Sequence, residues 1–187
     1  MSAMQDLRRD SVIEQKAAPE APKQEQTNKR IIACSVDPTS AGYVINWILA
    51  NFVRADQDQI VLMHVRPFDM PVAPYVDTTG YITEMQEDRD ESHRFLKACA
   101  TQFWHNGIDC KAVSMMGDPK EELMRKVKDI KADVLIMGAR GLGAFKRAFL
   151  GSVSDHCVHH APCAVVIVKH PDAPKSPKSS KSPKSKK

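Results

Sequence analysis

The sequence has no stretch that approaches the ~18 to 20 consecutive apolar residues of a membrane-spanning helix. Its first ten residues are charged and contain no apolar core of a secretory signal, so none is expected. Leu7, Arg8, Arg9, Val12 and Ile13 hint at a transit peptide, but Asp6, Asp10 and Glu14 argue against one. Cytoplasm is the expected compartment. No CxxC pair occurs, and the five cysteines (34, 99, 110, 157 and 163) make an odd count. Three of them fall in apolar segments, which reads as reduced, buried thiols rather than a disulfide framework. Aromatic residues are only 6% of the chain, and no helix-turn-helix signal is present, which argues against sequence-specific nucleic-acid recognition. The phosphate loop GxxxxGK[ST] is missing, and so is the dinucleotide fingerprint GxGxxG.

An excess of charge is also missing from the middle of the chain. Of the formal net charge of +4, residues 1–30 supply +1 and residues 171–187 supply +5, which leaves −2 for residues 31–170. The basic character belongs to a tail, not to a globular face. With 187 residues and 42% apolar content, one domain with flanking tails is expected.

What is present is alternation. Residues 1–29 read as a disordered leader, rich after Glu14 in Pro, Gln and charge. From Arg30 the character changes. The short apolar runs 31–36, 60–65, 110–115, 133–137 and 165–168 have the composition of strands buried on both faces. Between them lie helical patterns. Tyr43, Val44, Trp47, Ile48 and Phe52 follow Pro38, with Thr39 or Ser40 as the cap. A long helix is expected from about Tyr81 to His105, closed by Asn106-Gly107. Asp118-Pro119 opens a third, with Leu123, Val127 and Ile130 inward, and the fourth runs from Ser152 to about His160. Residues 66–79, with three prolines, read as a loop, and 171–187 as a Lys/Ser/Pro-rich solvated tail. Strands alternating with helices predict an α/β fold: a parallel sheet sandwiched by helices, Rossmann-like, over residues 30–170. In such sheets ligands sit beyond the C-terminal strand ends, where strand order reverses.

The chemistry concentrates after the fourth predicted strand. Met137 is followed by Gly138-Ala139-Arg140-Gly141 and, after nine intervening residues, by Gly151-Ser152-Val153-Ser154 at a helix start. Gly138 leaves the strand with freedom to take positive φ, and Gly141 lets backbone N–H groups approach an anion without a Cβ in the way. Ser152 and Ser154 offer hydroxyls at a helix N-terminus, where free N–H groups and the dipole favour negative charge. Each dipole contact is worth only about 0.3–1 kcal/mol, so several must converge. Arg140, Lys146 and Arg147 lie in the same stretch. The plainer reading makes the glycines turns and Ser152 a cap.

Met137-Gly138-Ala139-Arg140-Gly141-Leu142-Gly143, Leu150-Gly151-Ser152-Val153-Ser154 and Pro162-Cys163-Ala164-Val165-Val166-Ile167-Val168-Lys169 closely resemble the universal stress protein family. The ATP-binding members carry G-x2-G-x9-G-[S/T], matched here at Gly138, Gly141, Gly151 and Ser152. The resemblance implies a five-stranded parallel sheet, an ATP or AMP (or ADP) site at its C-terminal edge, and a homodimer built through the last strand, 164–168. It further implies that Asp37 contacts the ribose and that Val65 and Met137 lie near the adenine. A Mg²⁺ bridging phosphate oxygens fits this picture, although no carboxylate pair for a metal is visible. Where the family commonly has Gly-Ser after that aspartate, this chain has Pro38-Thr39, a stiffer turn.

Three functions compete on this scaffold: a nucleotide-binding stress or signalling module, a slow ATPase or phosphotransferase, and a dimeric interaction module without nucleotide. The second needs a base near the γ-phosphate, and the sequence nominates none. His156, His159 and His160 have the spacing of metal ligands, but also of an exposed face near a helix C-terminus. In the tail, Ser176 and Ser182 each precede proline between lysines. This suits proline-directed phosphorylation, weak binding to anionic partners, or mere solubility.

Overall fold

The runs buried on both faces become the parallel strands of one sheet, because only a layer covered on each side accommodates continuous apolar sequence. The computed structural model describes residues 10–13, 29–68, 78–139 and 150–171. Arg140, Gly141, Lys146, Arg147, Ser176 and Ser182 lie outside the described residues. The strands are β1 (Ser11–Ile13), β2 (Arg30–Ser35), β3 (Asp58–Arg66), β4 (Asp109–Met116), β5 (Val134–Gly138) and β6 (Ala164–Val168). The helices are α1 (Ala41–Asn51), α2 (Thr78–His105), α3 (Pro119–Asp129) and α4 (Ser152–His160). Strand order is β1-β4-β3-β2-β5-β6, with β2 to β6 parallel. No helix among the described residues is long and apolar enough to cross a membrane.

The sheet differs from expectation at one edge. Ser11–Ile13, from within the predicted leader, forms a sixth strand antiparallel to β4, with Ser11 opposite Ser114 and Ile13 opposite Ala112. Asp10 fastens this strand to α3 through Lys126 Nζ and Arg125 Nη2, each at 2.8 Å. The loop expected at 66–79 is also shorter at both ends. Arg66 still belongs to β3, and α2 begins at Thr78.

Period-2 alternation sorts the strand side chains onto two cores. Ile32, Cys34, Ile60 and Leu62 face α1 and α2, where Ile45, Ile48, Leu96 and Phe103 are fully buried. Ala33, Val61, Met63 and Leu135 face α3 and α4, against Leu123, Val127 and Cys157. Each such large side chain stabilises by about 1.5–3 kcal/mol on burial. The buried thiols are inert. Burial pushes Cys99 and Cys157 up to about 11, and Cys34 and Cys110 higher still.

Local signals set the helix ends. Asp118 caps α3 by accepting from Lys120 N at 2.8 Å and Glu121 N at 3.3 Å. Gly107, at φ +68°, ends α2 with its N–H on Trp104 O. At the opposite end of the sheet from the strand termini that matter below, β3 starts on Asp58. This residue is 1% exposed and accepts from Arg30 Nε at 2.8 Å, Arg30 Nη2 at 3.0 Å and Arg54 N at 2.8 Å. One carboxylate thereby ties the start of β2 to the turn that enters β3.

Candidate functional site

Strand order reverses at β2: the chain crosses from β2 through α1 to β3 on one side, and returns from β4 through α3 to β5 on the other. The chains leaving β2, β3 and β5 diverge there and open a crevice. Ser35, Val36 and Asp37 from β2, His64 and Val65 from β3, and Met137 and Gly138 from β5 line it. Pro119 at the start of α3 and Gly151, Val153 and Ser154 at the start of α4 complete the wall. The crevice is open to solvent.

Asp37 is held by its own turn. Its Oδ1 accepts from Thr39 N at 2.9 Å, Ser40 N at 3.1 Å and Thr39 Oγ1 at 2.5 Å, and its Oδ2 from Ser40 Oγ at 2.7 Å. Pro38, with no N–H, leaves the carboxylate to the two residues after it. Burial alone would raise its pKa, but the Thr39 and Ser40 hydroxyls and N–H groups more than offset this and hold it below the usual carboxylate range. Asp37 is therefore ionised and fixed. It also takes over the capping expected of Thr39 or Ser40. Ser40 occupies the cap position of α1 but makes no capping bond to the helix, because its hydroxyl turns back to the charged, stronger acceptor.

Gly138 is needed for a reason other than the one expected. Positive φ among the described glycines occurs only at Gly107 and Gly117, so Gly138 leaves β5 in an ordinary conformation. What excludes a side chain is close approach: a Cβ there would lie 2.7 Å from Ser40 Cβ and nearer still to the Tyr43 hydroxyl. Tyr43 donates to Ala139 O at 3.0 Å, and Ala139 N donates to Val168 O at 2.8 Å. The segment leaving β5 is thus clamped between α1 and β6.

Helix α4 begins at Gly151 with extended geometry (φ −64°, ψ 158°) and has no side-chain cap. Its first N–H groups and its dipole therefore open onto the crevice wall. Ser154 is 2% exposed and its hydroxyl donates to Gly151 O at 2.9 Å, so this oxygen closes the first turn. Ser152 is exposed and does not line the crevice.

The structure therefore brings together Asp37, Val65, Met137, Gly138, Gly151, Val153 and Ser154, whereas Ser152 stands outside the lining. Arg140 and Gly141 fall in the undescribed segment. Sequence reading missed Ser35, Val36, His64 and Pro119. His64 was recognisable only through its place beside Val65 at a strand end. Its ring bonds Ser92 Oγ at 2.8 Å and meets Phe95 edge-on at 5.1 Å. Burial and the Arg66 charge hold its imidazole below its usual pKa, hence neutral at pH 7. In α4, His159 Nδ1 and His160 Nδ1 each pair with a helix carbonyl at 2.8 Å. No group of three potential metal ligands occurs among the described residues.

Comparison with known proteins agrees with this geometry. The profile of the Universal stress protein family matches residues 27–169. A Universal stress protein A-like protein from Arabidopsis thaliana is 34% identical over 130 residues, covering 66% of this chain and 74% of the relative. Universal stress protein PHOS32, also from Arabidopsis thaliana, is 30% identical over 161 residues, covering 77% of this chain and 66% of the relative. Among solved structures, a universal stress protein family protein from Arabidopsis thaliana with AMP bound superposes with a TM-score of 0.59 at 25% identity, over 76% of this chain and 93% of the other. UspA from Lactobacillus plantarum shares the fold, with a TM-score of 0.56 at 21% identity over 74% and 97% of the two chains. With the doubly wound sheet and its strand-end crevice, these matches establish that the chain belongs to the universal stress protein family.

Proposed function

We propose that the crevice binds ATP, with ADP and AMP as alternatives, and that the protein is a cytoplasmic, nucleotide-dependent stress-response or signalling module. One observation carries this reading: Asp37, Met137-Gly138 and the uncapped start of α4 meet in one crevice although they come from three distant segments. Asp37, ionised and fixed, suits a ribose hydroxyl. Val65 and Met137 offer apolar contact to a base. The N–H groups from Gly151 to Ser154 suit phosphate oxygens, with Arg140 and Gly141 assigned to the same end by the spacing G-x2-G-x9-G-S. The AMP-bound relative is consistent with this assignment. A Mg²⁺ would be held by phosphate oxygens: Asp37 Oδ1 already accepts three bonds from Thr39 and Ser40, and Oδ2, which accepts one from Ser40 Oγ, is left for the ribose hydroxyl.

Binding rather than turnover is favoured. His64 is a neutral imidazole in the crevice, but it belongs to β3, across β2 from β5, and so to the base end rather than the phosphate end. Equilibrium dialysis of the full chain with ATP tests the assignment. Gly151→Val with Ser152→Ala should weaken binding at least tenfold, about 1.4 kcal/mol. Equal affinity in both proteins would remove the phosphate site.

The sheet also ends on β6, whose outer edge pairs with nothing among the described residues and whose Val165, Val166 and Ile167 are half-buried. An uncovered apolar edge invites a second strand, so we assign a homodimer built through residues 164–168. Val166→Lys should weaken self-association at least tenfold in sedimentation equilibrium, with the circular dichroism spectrum retained. A wild-type chain that sediments as a monomer at micromolar concentration would contradict it.

A further inference from the structure

We propose that Ser11 is a phosphorylation site for a serine kinase that reads basic residues, and that the phosphate releases β1 from the sheet edge. The segment Arg8-Arg9-Asp10-Ser11-Val12 puts arginines three and two residues before a hydroxyl and an apolar residue directly after it. A kinase groove lined with carboxylates holds such a segment, because each guanidinium forms charge-assisted, often bidentate bonds to a carboxylate. No other serine or threonine of the sequence has arginine at both positions, the tail serines included.

The structure supplies access and consequence. β1 has three residues and a single partner strand, and Val12 is 53% exposed. Its further ties are the pairs of Asp10 with Arg125 and Lys126, the contact of Ser11 Oγ with His93 Nε2 on α2, and the packing of half-buried Ile13 against the core. So short an edge element belongs to the part of a fold that opens most easily, and opening frees Ser11 for the kinase. In the transfer, the Ser11 hydroxyl gives its proton to the kinase's base and its oxygen bonds to the γ-phosphorus of ATP. The bond from that phosphorus to the β-γ bridging oxygen breaks, and ADP leaves.

Back on the sheet, the modified residue no longer fits. The hydroxyl oxygen already touches the His93 ring, and the phosphate adds three more oxygens and roughly −1.5 to −2 charges. Asp10 stands next to it with a carboxylate that is also charged, held below its usual pKa by Lys126 and Arg125 against the effect of burial. Phosphorylation therefore favours the detached segment.

The test incubates the full chain with ATP and the catalytic subunit of cyclic-AMP-dependent protein kinase, maps the phosphate by tandem mass spectrometry and follows amide hydrogen exchange. Phosphate at Ser11 is expected, with Arg8→Ala plus Arg9→Ala lowering the initial rate at least tenfold. In the phosphoprotein, amides of residues 11–13 and the amides of 112–114 facing them should exchange at least tenfold faster, with the rest of the sheet unchanged. Ser11→Ala removes the His93 contact without adding charge and should keep β1 protected. Phosphate confined to other residues, or a double-arginine variant modified at the wild-type rate, overturns the site. Unchanged exchange after modification, or Ser11→Ala opening as fully as the phosphoprotein, overturns release by the phosphate.

Discussion

Gly138→Ala is expected to destabilise the protein by about 1–3 kcal/mol, the usual cost of overpacking a filled site, and to weaken the proposed nucleotide binding at least tenfold. The new methyl would sit 2.7 Å from Ser40 Cβ and closer to the Tyr43 hydroxyl. The tyrosine tip can swing aside, but only by giving up its bond to Ala139 O. Ser40 Cβ is attached to the backbone of the turn that fixes Asp37 and cannot yield independently. Strain at Gly138 is therefore passed to both polar ends of the crevice, the β5 exit and the Asp37 turn. Tyr43→Phe in the same chain should recover part of the stability and not the rest. Urea denaturation at neutral pH measures the first effect and ATP dialysis the second. A Gly138→Ala protein with the wild-type midpoint would mean that the clamp between α1 and β5 is not tight.

The sheet was legible in the sequence because burial on both faces leaves an unmistakable composition. The runs read at 31–36, 60–65, 110–115, 133–137 and 165–168 sit within a residue or two of β2 to β6. α4 was read at its observed bounds, because Gly151 and Ser152 mark its start. β1 was not legible. Three residues are too few to display an alternation, and what holds them, the ladder to β4 and the pairs of Asp10 with Arg125 and Lys126, lies far along the chain. The start of α2 at Thr78 escaped for a related reason, since the prolines before it and Gly80 within it read as loop.

The site divides in the same manner. Gly138 and Gly151 were legible from their spacing at a strand end and a helix start, and Asp37 through the family resemblance alone. Ser35, Val36, His64 and Pro119 carry no motif, and enter the crevice only because strand order reverses at β2. Gly138 was found for the wrong reason. Close approach of a tyrosine from another helix leaves no trace near a glycine in sequence, whereas a turn does. Asp37 illustrates the converse: a residue at the entry to α1 can also face a ligand, since the turn that leads into α1 holds its carboxylate ionised at the crevice wall.

Asp58→Ala should cost the protein about 3 kcal/mol or more, with no direct contact to the crevice. Its carboxylate is 1% exposed and joins three donors, Arg30 Nε, Arg30 Nη2 and Arg54 N. Hydrogen bonds to a charged group contribute roughly 1.5–3 kcal/mol each in favourable cases, and removing one partner of a buried pair about 3–5 kcal/mol. Arg30 is 40% exposed and stacks over Phe52 at 4.9 Å, so it can recover water, which places the cost at the low end. The pH dependence separates charge from packing. Burial raises the Asp58 pKa, but the Arg30 bonds and the Arg54 N–H more than compensate, so the folded value lies below the unfolded one. Its contribution is therefore complete above the unfolded value, near 3.8, and is lost as the pH falls through the lower, folded value. Asp37 and Asp10 are shifted in the same direction and steepen the same acid limb. Urea midpoints taken from pH 7 down to pH 3 should show the deficit of Asp58→Asn relative to wild type begin to shrink below the unfolded value near 3.8, because protonation of the unfolded carboxylate then withdraws part of the wild-type advantage. A deficit that stays constant across this range would assign the loss to packing, and Asp58 would cease to be the electrostatic tie between β2 and β3.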